Sequence, residues 1–195
     1  LYHYLPGSRS FSIGTRGCNL ACRFCQNADI AESPKTKGPP REPRVAPQEV
    51  VRQAKSANCA SIAYTYTEPT IFMEYALDVA RPAREQGLGN VFVSNGFMSP
   101  EAAEAAGEAI DAANVDLKAF SDEFYRKTCG ARLDPVLETI RGLHGAGVHL
   151  EATTLIIPGK NDSDEELGDI AGFLASVDKR IPWHISAFRP AHKMM

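Results

Sequence analysis

Six short β-rich stretches, each but the last followed by helical sequence, constrain this chain more than any other feature. The stretches are 10–14, 60–66, 90–94, 113–117, 149–157 and 183–188. Between them, amphipathic spacing predicts helices over 48–57, 70–86, 99–109, 122–128, 135–146 and 164–176. Pro47 and Pro100 suit first helical positions, and Ser99 suits an N-cap. Strands alternating with helices build parallel sheets with right-handed crossovers, either doubly wound or closed toward a barrel. The polar residues favour the barrel. Cys18, Glu68, Asn95, Asp116, Lys118 and Arg189 all fall at or just beyond the C-terminal end of a strand, the face where barrel sites gather. Six units make the expected fold an α/β open, partial TIM-type (β/α)6 barrel, a single domain over 1–195 that lacks the helix after its last strand. The proline- and base-rich stretch 33–47 reads as an exposed loop.

Composition excludes several classes. The net charge of −3, without a basic stripe, argues against nucleic acid as a partner. No apolar run is long enough to span a membrane, and no secretory leader is visible. A chain beginning at Leu1 reads as trimmed, and the expected location is cytoplasmic.

The five cysteines are an odd set, and three of them crowd into Gly17-Cys18-Asn19-Leu20-Ala21-Cys22-Arg23-Phe24-Cys25-Gln26-Asn27. A secreted disulfide framework spreads an even set along the chain, so clustering points to a metal in a reducing compartment. A structural zinc site needs four ligands, and no second cysteine pair supplies the fourth. A distant His184 or His192 would have to complete it. Iron–sulfur chemistry accommodates three thiolates by leaving one iron open, and an open position is what a substrate needs. The isolated Cys59 and Cys129 read as small buried apolar residues. His3, His144 and His149 read as surface or core residues, and His184 as core.

The C-x3-C-x-aromatic-C spacing, with Phe24 at the aromatic position, resembles the signature of the radical S-adenosylmethionine (SAM) enzymes. That family's fold is the open (β/α)6 barrel. The resemblance implies that Cys18, Cys22 and Cys25 hold a [4Fe–4S] cluster, whose fourth iron takes the amino and carboxylate groups of SAM. It places the SAM-binding Gly-Gly-Glu segment at Tyr66-Thr67-Glu68, with both glycines replaced. Read without the resemblance, Glu68 is a helix cap. Asn95, in Ser94-Asn95-Gly96, would present its amide to the site. Asp116 and Lys118 share one side of a strand and would meet a ribose hydroxyl and the methionine carboxylate. Arg189 stands where relatives often carry histidine before proline, and would contact the adenosine or a substrate carboxylate.

Residues 64–71, 111–134 and 153–164 resemble the radical SAM protein of the AmmeMemoRadiSam system, and the chain is similar, more distantly, to pyruvate formate-lyase activating enzymes. Those activases carry an acid where this chain has Val93. The expected function is reductive cleavage of SAM to a 5′-deoxyadenosyl radical that takes hydrogen from a protein or small molecule. An external low-potential donor of the flavodoxin or ferredoxin type would supply the electron, because the chain has neither a flavin motif nor a second cysteine cluster. Memo-type and AMMECR-type proteins are candidate partners. Two other readings stand beside this one. The first is a non-catalytic metal-binding scaffold with a structural zinc or iron–sulfur site, and the second a barrel enzyme for phosphorylated substrates with structural cysteines.

Overall fold

The computed structural model describes residues 1–38 and 44–194. Its six strands are β1 (Ser10–Ile13), β2 (Ser61–Tyr64), β3 (Gly89–Ser94), β4 (Ala112–Asp116), β5 (His149–Ile156) and β6 (Trp183–Ala187). They pair in chain order, every neighbour parallel. β1 and β6 do not pair with each other, so the sheet is the open barrel expected from the alternation.

Side-chain alternation sorts the strands into an outer and an inner face. Ile62, Tyr64, Phe92, Val115, Leu150 and Ala152 point outward into the main core. Against them pack α3 (Pro47–Ser56), α4 (Met73–Glu85), α5 (Pro100–Ala109), α7 (Leu133–Gly145) and α8 (Asp164–Val177). Ala63, Val91 and Ala112, in register across three strands, line the inner face beside Leu1 and Tyr4. The N-terminal segment thus fills the lumen near the strands' N-terminal ends. A Cβ on Gly89, the first residue of β3, would lie 2.4 Å from the Tyr4 hydroxyl, so that position accepts only glycine while Tyr4 stays where it is.

Four expectations shift. The helix expected over 70–86 begins with a separate 3-10 turn, Pro69–Phe72, because Glu68 caps Thr70 N–H from outside (3.1 Å). The helix expected over 122–128 makes one α turn, α6 (Asp122–Phe124), then widens into a π turn, Tyr125–Cys129, stopped by left-handed Gly130. The stretch 33–47 is not simply an exposed loop. α1 (Ala28–Ala31) and α2 (Ser33–Lys37) precede its undescribed part 39–43, and Ser33 is buried. After β6 the chain turns back toward the cysteine loop, where Lys193 N–H donates to the Arg23 carbonyl (2.9 Å). Ile185 on β6 is 58% exposed.

Candidate functional site

The cysteine loop leaves β1 and runs across the C-terminal ends of β2, β3 and β4. Polar residues among the cysteines hold it there. Asn27 donates to the Tyr66 carbonyl (2.8 Å), and the Thr67 hydroxyl donates to the Thr15 carbonyl (2.8 Å). Asn19 donates to the Phe97 carbonyl and accepts from the Asn95 amide, both at 2.8 Å. Ala21 N–H and Arg23 N–H donate to the carbonyls of Cys129 (2.8 Å) and Thr128 (2.9 Å). From sequence, Asn19 and Asn27 carry no site role of their own, although Cys25-Gln26-Asn27 is part of the resemblance. Their signal was short polar side chains between and just after the ligands, a pattern that also fits any loop.

The three loop thiols face the end of β4. Lys118 acts electrostatically on Cys18, Cys22 and Cys25 alike. Its ammonium lies 2.9 Å from Asp116 Oδ2 and 5.9 Å from the centre of the Phe24 ring. Phe24 is buried and packs on Phe124. The ion pair is lopsided, since the Lys118 side chain is 13% exposed and that of Asp116 38%. Burial alone would lower the Lys118 pKa, but Asp116 and Cys22 outweigh it and hold the amine charged. Asp116 therefore anchors the cation and still offers an oxygen at the barrel mouth. Burial raises the thiols of Cys18 and Cys25, whereas a hydrogen bond with Cys129 lowers that of Cys22.

Glu68 arrives at the ring with its carboxylate turned inward. It is fully buried, and Oε1 accepts from Thr70 N–H, the Thr70 hydroxyl (2.7 Å) and the Ser94 hydroxyl (2.8 Å). Oε2 accepts from Asn95 N–H at 2.7 Å. Burial pushes the carboxyl up, against these bonds. The cap expected without the resemblance is what this side chain does, and it ties the β2 loop to the β3 loop. At Tyr66, where the resemblance expects glycine, the backbone is left-handed (φ 70). Asn95 is aimed at the cysteine loop, with its amide 3.7 Å from Cys18 Sγ. Gly96 turns the chain with φ 70, and a Cβ there would lie 2.7 Å from Val115. Arg189 is exposed and has no hydrogen bond or ion pair among the described residues.

The donor set discriminates between metals. A single tetrahedral zinc with bonds of ~2.3 Å keeps its sulfurs within about 4.6 Å of one another. Cys18, Cys22 and Cys25 do not form a group within 4.8 Å, so the triplet is too wide for one ion. Three soft thiolate ligands suit an iron–sulfur cluster. The distant histidines do not close a zinc site either. His192 faces Glu32 (3.2 Å) and His184 faces Glu151 (2.7 Å).

The radical SAM superfamily model matches residues 12–174, which contain all three cysteines, the end of β1 and all of β2 to β5. This chain belongs to the radical SAM superfamily. Its cofactors are accordingly a [4Fe–4S] cluster and SAM. The radical SAM chain is 39% identical, over all of its 195 residues, to the uncharacterized protein MJ0808 of Methanocaldococcus jannaschii, covering 57% of that protein. It is 26% identical to the isethionate sulfite-lyase activating enzyme of Oleidesulfovibrio alaskensis, over 90% of this chain and 59% of that one. The chain thus spans somewhat over half the length of these relatives. The fold also matches that of SuiB from Streptococcus suis bound to S-adenosylmethionine, with a TM-score of 0.70 at 15% identity over 92% of this chain and 39% of that one. No helix among the described residues is long and apolar enough to cross a membrane.

A second cluster was not anticipated. His3, Glu151 and His184 bring ligand atoms within 4.8 Å of one another toward the opposite end of the barrel. Sequence alternation hid it, because an inward-facing polar residue of a barrel strand has the same period as a solvent-facing one. Both Glu151 oxygens already accept hydrogen bonds, from the backbone N–H groups of Tyr2 (2.9 Å), His3 (2.9 Å) and Tyr4 (3.2 Å) as well as from His184. The cluster is a structural knot. His149 joins it at 3.4 Å, and His144 pairs elsewhere, with Asp178 (3.3 Å).

Proposed function

We propose that this chain is the catalytic core of an activating-enzyme-like oxidoreductase that reductively cleaves SAM to start hydrogen abstraction from a protein or small molecule. The observation that carries the reading is the three-thiol group, too wide for one ion, facing a single buried ammonium. Cys18, Cys22 and Cys25 would hold the [4Fe–4S] cluster. When bound, the cluster supplies the electron that splits SAM into methionine and a 5′-deoxyadenosyl radical. Lys118 offsets the negative charge of the thiolates and attracts the methionine carboxylate. Asp116, with its exposed oxygen, accepts from the ribose. Glu68 and Asn95 act one step back, fixing the loops over which SAM lies. Phe24 screens the cluster side of Lys118 from water, and Arg189 is free to reach the adenosine or a substrate carboxylate. The electron comes from an external low-potential donor of the flavodoxin or ferredoxin type, and Memo-type or AMMECR-type proteins are candidate partners.

Anaerobic reconstitution tests the reading. About four irons and four sulfides per chain are expected, with 5′-deoxyadenosine released on reduction in the presence of SAM. Stoichiometric zinc without cluster uptake would overturn it in favour of a scaffold. Asp116→Asn provides a finer check. The amide keeps the shape but loses the charge that pairs with Lys118 and the charged acceptor for ribose. Hydrogen bonds to charged groups contribute roughly 1.5–3 kcal/mol, so SAM affinity should fall about tenfold to a hundredfold. Iron content should stay at the wild-type value. Equilibrium dialysis under anaerobic conditions reads both, and unchanged affinity would remove Asp116 from the SAM site.

A further inference from the structure

The knot of His3, Glu151 and His184 contains more than a knot needs. Backbone amides require only acceptors, and carbonyl oxygens would serve. Here the acceptor is a carboxylate whose side chain is 0% exposed, and no lysine or arginine among the described residues pairs with it. A buried anion is costly without a counter-charge. What converges on this one is imidazole. His184 Nε2 lies 2.7 Å from Glu151 Oε2, and His3 brings a ring nitrogen to the same place. Two imidazoles and a carboxylate are a donor set for a divalent cation of borderline softness, zinc above all.

The three ligand atoms lie within 4.8 Å of one another, a span inside which the loop thiols do not gather. A tetrahedral ion about 2.1 Å from each would hold them about 3.4 Å apart. His3 is exposed and the His184 side chain is 21% exposed, so both rings have room to turn and an ion can enter from solvent. The groups behind the ligands are already in place. The amides of Tyr2 and His3 donate to the two carboxylate oxygens, both at 2.9 Å, and such bonds orient a ligating carboxylate. His3 joins the knot through its backbone N–H alone. Its ring stands 5.6 Å from that of His184 and makes no hydrogen bond among the described residues.

We propose that His3, Glu151 and His184 bind one divalent transition-metal ion of the zinc class, with water in the fourth position, as a staple between the N-terminal segment, β5 and β6. Without the ion, His184 and Glu151 share a proton, and the ion takes that proton's place. β6 is an edge of the open barrel and does not pair with β1. The staple therefore ties an edge strand to the segment that enters the lumen. It lies toward the end of the barrel opposite the cysteine loop, so it serves the fold and not the radical chemistry. The inference does not depend on what the cysteines hold.

The test compares untagged, cluster-loaded wild-type protein with His3→Ala, which removes the imidazole and keeps every hydrogen bond of the metal-free knot. Equilibrium dialysis against micromolar zinc under anaerobic conditions counts bound metal, and melting temperatures are read with zinc, with magnesium and with a chelator. Any zinc on thiols is common to both proteins and cancels in the comparison. The expected result is one zinc per chain more in the wild type than in His3→Ala. The wild type should melt several degrees higher with zinc than with chelator, because an ion that binds the folded state stabilises it. His3→Ala should melt alike in both. His144→Ala, whose histidine pairs with Asp178 elsewhere, should behave as the wild type. Equal zinc uptake by the wild type and His3→Ala, or equal zinc shifts in their melting, would overturn the proposal. A magnesium shift as large as that of zinc would also overturn it, since imidazole ligands do not favour magnesium.

Discussion

Cys18→Ala should yield a folded barrel that no longer cleaves SAM. The Cys18 sulfur accepts from Leu20 N–H (3.4 Å) and faces the Asn95 amide (3.7 Å), and both contacts are weak. The bonds that fix the loop use other atoms. They are Asn27 to Tyr66, Thr67 to Thr15, and the Ala21 and Arg23 amides to residues 129 and 128. Cys18 is also partly exposed, so its removal opens no sealed cavity. The stability cost should stay near 1 kcal/mol or below. The chemical cost is far larger. Two thiolates do not retain a four-iron cube, and groups that act as a unit lose nearly everything when one is removed. The expected loss in 5′-deoxyadenosine formation is on the order of a thousandfold or more. The melting curve should lie close to that of the apo wild-type protein. Retained cleavage would mean that the cluster does not need Cys18 as a ligand.

That experiment concerns the part of the site most legible in the sequence. Ligand spacing within eight residues is a local property, and so is the alternation that puts Asp116 and Lys118 on one side of β4. The order of six βα units was readable for the same reason. Each unit buries its own apolar face, and parallel neighbours in chain order need no long-range information beyond handedness. What escaped depends on contacts across the barrel. The Ala21 and Arg23 amides reach the carbonyls of Cys129 and Thr128 on a π turn, which no propensity signals. Glu68 was readable as a cap from Glu-Pro-Thr alone, but its bonds to Ser94 and Asn95 cross 26 and 27 residues. His184 read as core because its partner, Glu151, lies 33 residues earlier on the neighbouring strand.

Glu151 carries the largest stability effect. Its side chain is wholly buried, and no lysine or arginine among the described residues pairs with it. Burial by itself would push its carboxyl up. The amides of Tyr2 and His3, with His184 and His149, outweigh burial and hold it at about 2. The sign of the pH dependence follows. A carboxyl whose folded pKa lies below its unfolded value stabilises the fold when ionised. The contribution is complete above the ordinary carboxylate value of 4.5 and is lost as the pH falls toward about 2. A depression of that size corresponds to ~3 kcal/mol at neutral pH. Glu151→Gln removes the charge and turns an amide donor toward groups that already donate, so the loss at pH 7 should be at least that large. The segment Leu1–Tyr4 should detach first, because Glu151 accepts from three of its backbone amides. Urea unfolding at pH 7 and near pH 3 provides the check. The wild-type and variant curves should differ widely at the higher pH and converge at the lower, with faster amide exchange over residues 2–4 in the variant. Curves that stay parallel between the two pH values would show that the fold does not depend on the charge of Glu151.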